Sequence, residues 1–118
     1  MSKHSEIGIK GEHLAEEFLL NKGYSILNRN WRSGRKEVDI VALIDNIVVI
    51  VEVKTRSATM FGFPEEAVNA KKQQHLRIAA EAYLLQNPGY LNARFDIVSI
   101  VIKGGNEYEI IHFESAFY

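Results

Sequence analysis

Two short patterns in this 118-residue sequence set acids and a lysine at spacings that could do chemistry: Glu37-Val38-Asp39 and Glu52-Val53-Lys54. Side chains on a strand alternate between faces, so the charged pair in each pattern shares a face. Between them, Asp45-Asn46 has the composition of a tight hairpin turn. A two-residue turn there pairs Ile44 with Ile47, Asp39 with Glu52 and Glu37 with Lys54, and all four charged residues then project from one face. A loop longer by two residues changes the partners and keeps the faces. A one-residue bulge breaks the arrangement.

Carboxylates set opposite each other repel and weaken a hairpin. A hard divalent cation between them removes that penalty, and Mg²⁺ takes one or two carboxylates together with waters and phosphate oxygens. A lysine two residues from one ligand can orient or deprotonate water, or neutralise charge on a phosphate. That is the apparatus of metal-assisted phosphodiester hydrolysis. The plainer reading of Glu-x-Lys in a strand is an exposed ion pair. Against it stands the nearly unbroken apolar run of Ile47 to Val51 and Val53, which reads as an interior strand. Charges on such a strand are rare unless they are paired or bound to something.

Other residues could join this centre. Glu12 falls at the edge of the apolar arc of an N-terminal helix, either reaching over the sheet toward Asp39 or lying in solvent. Lys72 sits in the middle of an apolar helical face formed by Val68, Leu76, Ala79, Ala80 and Tyr83. Its stem either packs while the ammonium reaches water, or Lys72 and Gln73 point over the sheet toward a bound phosphate. Residues 29–77 hold nine cations against six acids, a net of +3, in a chain whose formal charge is −1. The cations include Arg29, Arg32, Arg35, Lys36 and Arg56, and Arg29 to Lys36 leads straight into the first acidic pattern. Trp31 lies between Arg29 and Arg32, either as a stacking surface for bases or as a core or rim residue. A basic patch bordering an acidic pocket is expected.

The elements that must position these residues follow from periodicity. Ile7 to Lys22 reads as a helix stopped by Gly23, with Gly8, Gly11 and Ala15 leaving one side narrow. Tyr24 to Arg32 reads as a strand and Ser33 to Lys36 as a turn. Glu37 to Ile44 and Ile47 to Lys54 read as two strands, and Thr55 to Phe63 as a loop. Pro64 suits the first position of a second helix, with Glu65 and Glu66 at its positive end, running to about Gln86. Arg94 to Ile102 and Glu107 to Phe113 read as the last strands, joined by Gly104-Gly105-Asn106. The helix between two strands implies a right-handed crossover and parallel pairing. The expected fold class is α/β, in the order α-β-β-β-α-β-β, with a central mixed sheet flanked by helices.

Composition narrows the rest. The length fits one domain, residues 1–118. The absence of cysteine excludes a disulfide scaffold, a thiolate zinc site and a cysteine nucleophile. No apolar stretch has the length of a signal peptide or membrane span, so a cytoplasmic protein without membrane partners is expected. His4, His13, His75 and His112 show no metal-ligand spacing, and Ser57, Ser99 and Ser115 lack a nucleophile-elbow context.

The sequence also carries a Gly-Glu in the first helix, Asn-Trp-Arg at 30–32, Glu-x-Asp at 37–39 and Glu-Val-Lys-Thr-Arg at 52–56. Further on come Phe-Gly, Lys-Gln at 72–73, Arg-Phe-Asp at 94–96 and a terminal Ala-Phe. From Gly8 to Phe117 this resembles the YraN-type family of small, largely uncharacterised bacterial proteins. That family is similar to Holliday-junction resolvases and to the PD-(D/E)xK nucleases of restriction-endonuclease-like fold. The resemblance implies a Mg²⁺- or Mn²⁺-dependent endonuclease. Asp39, Glu52 and the Val53 backbone carbonyl would be the metal ligands, Lys54 the catalytic lysine and Glu12 the helix acid. Nucleic acid, DNA ahead of RNA and branched DNA among the options, would lie on the basic patch read above from Arg29, Arg32, Arg35, Lys36 and Arg56, with Lys72 and Gln73, which fall on the family's Lys-Gln pair. A homodimer like that of the resolvases is one further implication. Lys36 stands where the family usually has glycine, and Val38 where the wider fold often has proline. The alternatives are a non-catalytic nucleic-acid-binding module and a protein-interaction scaffold on the same fold.

Overall fold

The computed structural model describes residues 5–57 and 68–118. The elements are α1 (Glu6–Asn21), β1 (Ser25–Ser33), β2 (Lys36–Ile44), β3 (Ile47–Ser57), α2 (Ala70–Gln86), β4 (Ala93–Gly104) and β5 (Glu107–Phe117). The strands form one mixed sheet in the order β1-β2-β3-β4-β5, with β3 and β4 parallel and the other neighbours antiparallel. This is the expected α/β order, and it fits the restriction-endonuclease-like arrangement. No helix among the described residues is long and apolar enough to cross a membrane.

The apolar run of β3 is explained by its central place between two layers. Val49 and Val51 pack with Ala15, Leu19 and Tyr24 on the α1 side, while Val48 and Ile50 pack with Leu76, Ala79 and Tyr83 on the α2 side. Helix α1 presents Gly11, Ala15 and Leu19 as a buried stripe at four-residue spacing. Ser5 caps its first turn by accepting from Gly8 N at 3.1 Å. Its end is a Schellman turn: Gly23, at φ +96°, donates to Leu20 O and Tyr24 N donates to Leu19 O.

Helix α2 starts later than the sequence suggests. Asn69 is extended, at φ −76° and ψ 178°, and its side chain accepts from Lys72 N at 2.9 Å. An asparagine cap ends any helix approaching from the N-terminal side, so α2 begins at Ala70. The expected start at Pro64 lies outside the described residues, as does most of the loop expected up to Phe63. Strands β3 and β5 run longer than expected, reaching Ser57 and Phe117.

The β2–β3 hairpin has the expected register. Asp45 and Asn46 both adopt positive φ, the conformation of a type I′ turn, and the ladder runs from Ile44↔Ile47 to Ile40↔Val51. Beyond that point strict alternation fails. Ile40 and Ala42 face α1, whereas Val38 and Val41 both face α2. The strand therefore slips by one residue around Asp39. Its neighbour β1 slips with it, for Asn30 sits at φ +48° and Trp31, the partner of Val38, packs on the α2 side. The expectation that Glu37, Asp39, Glu52 and Lys54 line up on one regular face is corrected here: the sheet opens at Asp39.

A candidate metal and phosphate centre at the opening of the sheet

The opening forms a cavity of about 510 Å³. Helix α1 supplies its N-terminal turns and Glu12, while β2 supplies Lys36, Glu37 and Asp39. Strand β3 supplies Glu52 to Thr55, and α2 supplies Lys72 and His75. The four residues of the two sequence patterns thus meet in one cavity, although by a slipped strand rather than a regular face.

Close approach of α1 makes this possible. A methyl group on Gly11 would lie 1.8 Å from Thr55 Oγ1, so only glycine lets the helix touch β3 here. That contact brings the next residue, Glu12, to the cavity wall.

Glu52 is 4% exposed. Its Oε2 lies 3.5 Å from Lys54 Nζ and 3.5 Å from Lys72 Nζ, while its Oε1 is buried with no hydrogen-bond partner. Asp39 Oδ2 accepts a 2.8 Å hydrogen bond from Val53 N, which takes the place of the next ladder pair. Burial and the neighbouring Glu52 carboxylate push the Asp39 carboxyl up to about 8, with Glu12 adding to the push; the Val53 hydrogen bond and Lys72 oppose it. The Asp39 carboxyl is thus held beside Glu52 in a space that disfavours its charge.

This donor set suits a hard cation. Among the described residues no three histidine or acidic side chains converge as a ready cage. Mg²⁺ does not require one, since it keeps several waters and uses one or two carboxylates. Asp39 and Glu52 would hold such an ion, which would supply a partner for the orphaned Glu52 Oε1 and offset the penalty on the charged form of Asp39.

The expected basic residues divide. Arg35 and Lys36 line the cavity with Lys54 and Lys72. Lys36 pairs with Ser33 across the two-residue Gly34-Arg35 turn, and the positive φ falls on Gly34, so the turn accommodates a lysine at 36. Arg32 approaches Glu37 at 3.6 Å. Arg29 is committed elsewhere, binding both carboxylate oxygens of Glu16 on α1. Gln73 does not line the cavity; its amide donates to Val68 O at 3.1 Å and accepts from Arg77. Arg56 lies farther along β3, outside the lining. Trp31 packs edge-on against Tyr83, with ring centroids 5.1 Å apart, as a half-buried core residue. Sequence reasoning passed over His75 and Thr55. The signal for His75 was its three-residue spacing from Lys72, which puts both on one side of α2.

The profile of "Uncharacterised protein family UPF0102" matches residues 11–100. A UPF0102 protein of Flavobacterium psychrophilum is 48% identical over 118 residues, covering 100% of this chain and 98% of its own length. Relatives from Phocaeicola vulgatus, at 45%, and Alkaliphilus oremlandii, at 44%, cover 100% and 97% of this chain and 97% and 99% of their own. With full-length similarity at this level, the chain belongs to the UPF0102, or YraN, family.

Proposed function

We propose that this chain is a divalent-cation-dependent nuclease that hydrolyses phosphodiester bonds in nucleic acid. The observation that carries the reading is Glu52: a buried carboxylate with one oxygen unpartnered, beside a second carboxyl whose ionisation burial opposes, in a cavity rimmed by lysines. A purely structural charge cluster would satisfy its own oxygens.

Asp39, Glu52 and the backbone carbonyl of Val53 would hold Mg²⁺ or Mn²⁺. When bound, the cation supplies Lewis-acid stabilisation of charge on the phosphate. Lys54, tethered two residues from Glu52, orients the attacking water and meets negative charge as it grows on the phosphoryl oxygens. Lys36, Arg35 and Lys72 fix the backbone of the substrate across the cavity mouth. Glu12 closes the α1 side and turns its carboxylate toward the same space.

The test is incubation of branched and linear DNA and RNA with Mg²⁺ or Mn²⁺, with Asp39→Ala in parallel. Cation-dependent cutting that the variant lacks is expected. Binding of the same substrates without cutting, under either cation, would replace this reading with a non-catalytic binding module.

A further inference from the structure

We infer that Lys72 is an exchangeable counter-ion, which holds the Glu52 carboxylate in the cation-free centre and passes to a substrate phosphate when a divalent cation binds. The inference rests on the nuclease reading and adds a coupling to it: cation and phosphate each make room for the other through this lysine.

Two ammonium groups share one oxygen, since Lys54 Nζ and Lys72 Nζ both lie 3.5 Å from Glu52 Oε2. They differ in anchor. Lys54 is on the same strand as Glu52, two residues on, so its backbone anchor is fixed beside that carboxylate. Lys72 reaches in from the first turn of α2, and 37% of its side chain remains exposed to the cavity. That turn has no acid and carries Lys71 and Lys72 at the positive end of the helix dipole, where cations are disfavoured. Glu52 offsets that placement. A doubly charged ion on Asp39 and Glu52 would set three positive centres around one carboxylate. The two stems are equally long and Lys72 is only slightly the more exposed, at 37% against 31% for Lys54, so the lysine to leave is the one anchored on the separate helix, Lys72, which moves into the cavity it lines.

Linkage then requires reciprocity. A cation that displaces Lys72 raises phosphate affinity, and a phosphate that captures Lys72 raises cation affinity by the same factor. Without nucleic acid, Lys72 competes with the cation for Glu52.

The test uses Mn²⁺ alone, by calorimetry on the full chain without nucleic acid. Lys72→Met should bind Mn²⁺ about tenfold more tightly than wild type, the order expected when a competing unit charge leaves a partly solvated site. Lys71→Met removes the same charge from the adjacent, exposed position and should change the affinity less than about twofold. Thermal melts add a second readout, for saturating Mn²⁺ should raise the Tm of Lys72→Met by more than that of wild type. Lys72→Gln keeps a polar tip and serves if the methionine variant folds poorly. Unchanged or weaker Mn²⁺ binding by both Lys72 variants would overturn the exchange, as would equal tightening by Lys71→Met. A wild-type chain that binds no Mn²⁺ would overturn the nuclease reading itself.

Discussion

Two buried carboxyl centres lie on the same sheet, and they meet burial in opposite ways. On the α1 side, Asp96 of β4 is 1% exposed and every lone pair is engaged. Arg94 donates to both oxygens at 2.9 and 2.8 Å, His112 Nε2 at 2.7 Å and Ser115 N at 3.0 Å. Lys22 donates to His112 Nδ1, which fixes the tautomer that serves Asp96, and Arg94 also donates to Tyr24. Burial would raise the Asp96 carboxyl, yet these hydrogen bonds outweigh it and hold the group below its ordinary value. On the cavity side, Glu52 keeps an orphaned oxygen, and at Asp39, with a single backbone donor, burial wins. The fold can satisfy a buried acid completely. Where it does not, the proposed reading puts a cation in the deficit.

The contrast is broken most severely by removing Asp96. Asp96→Ala leaves Arg94 and His112 facing each other without their anion, and should destabilise the chain by about 3–5 kcal/mol in denaturant unfolding. Mn²⁺ should not restore the loss.

Asp39→Asn should act in the other direction. A carboxyl held up to about 8 in the folded chain and near 3.8 when unfolded keeps its proton only on folding between those values. Its contribution is full below pH about 4 and is lost as pH rises through about 8. Asp96, with its lowered value, contributes stability that is present above the unfolded pKa and lost as pH falls through the folded one. Without divalent cation at pH 8, Asp39→Asn should therefore be more stable than wild type by about 2 kcal/mol, since Asp39 keeps partial exposure. Denaturant midpoints across pH 4–9 check this; a less stable variant at pH 8 would erase the contrast.

The smallest of these effects is a steric one. Gly11→Ala should cost about 1–2 kcal/mol by pushing α1 off Thr55 and drawing Glu12 away from Asp39. Combining it with Thr55→Gly should cost less than the sum of the two changes, and additive costs would show that the helix tolerates the methyl group.

Much of this was legible in the sequence. Asp45-Asn46 set the hairpin register, and the run from Ile47 to Val51 identified the central strand, because both signals are local. The slip at Asp39 was not legible, for it depends on Asn30 in the neighbouring strand and on Trp31 finding Tyr83. Lys72 and Glu12 were brought to the cavity as helical spacing allowed. Arg29 and Gln73 were not, because Glu16, Val68 and Arg77 engage them, and polar partners of this kind carry no periodic signal. The Asp96 network was hidden for the same reason: Arg94 is two residues away, but His112 and Tyr24 come from other strands or their edges.

The most direct test of the central claim is single-turnover cleavage at saturating protein, comparing wild type with Lys54→Ala while binding is followed separately. Folding and most nucleic-acid affinity should survive, Mn²⁺ should bind at least as tightly as to wild type because a cation beside Glu52 is gone, and the cleavage rate should fall by about a hundredfold or more, as when one transition-state charge contact is lost. Cleavage by Lys54→Ala at the wild-type rate would contradict the account.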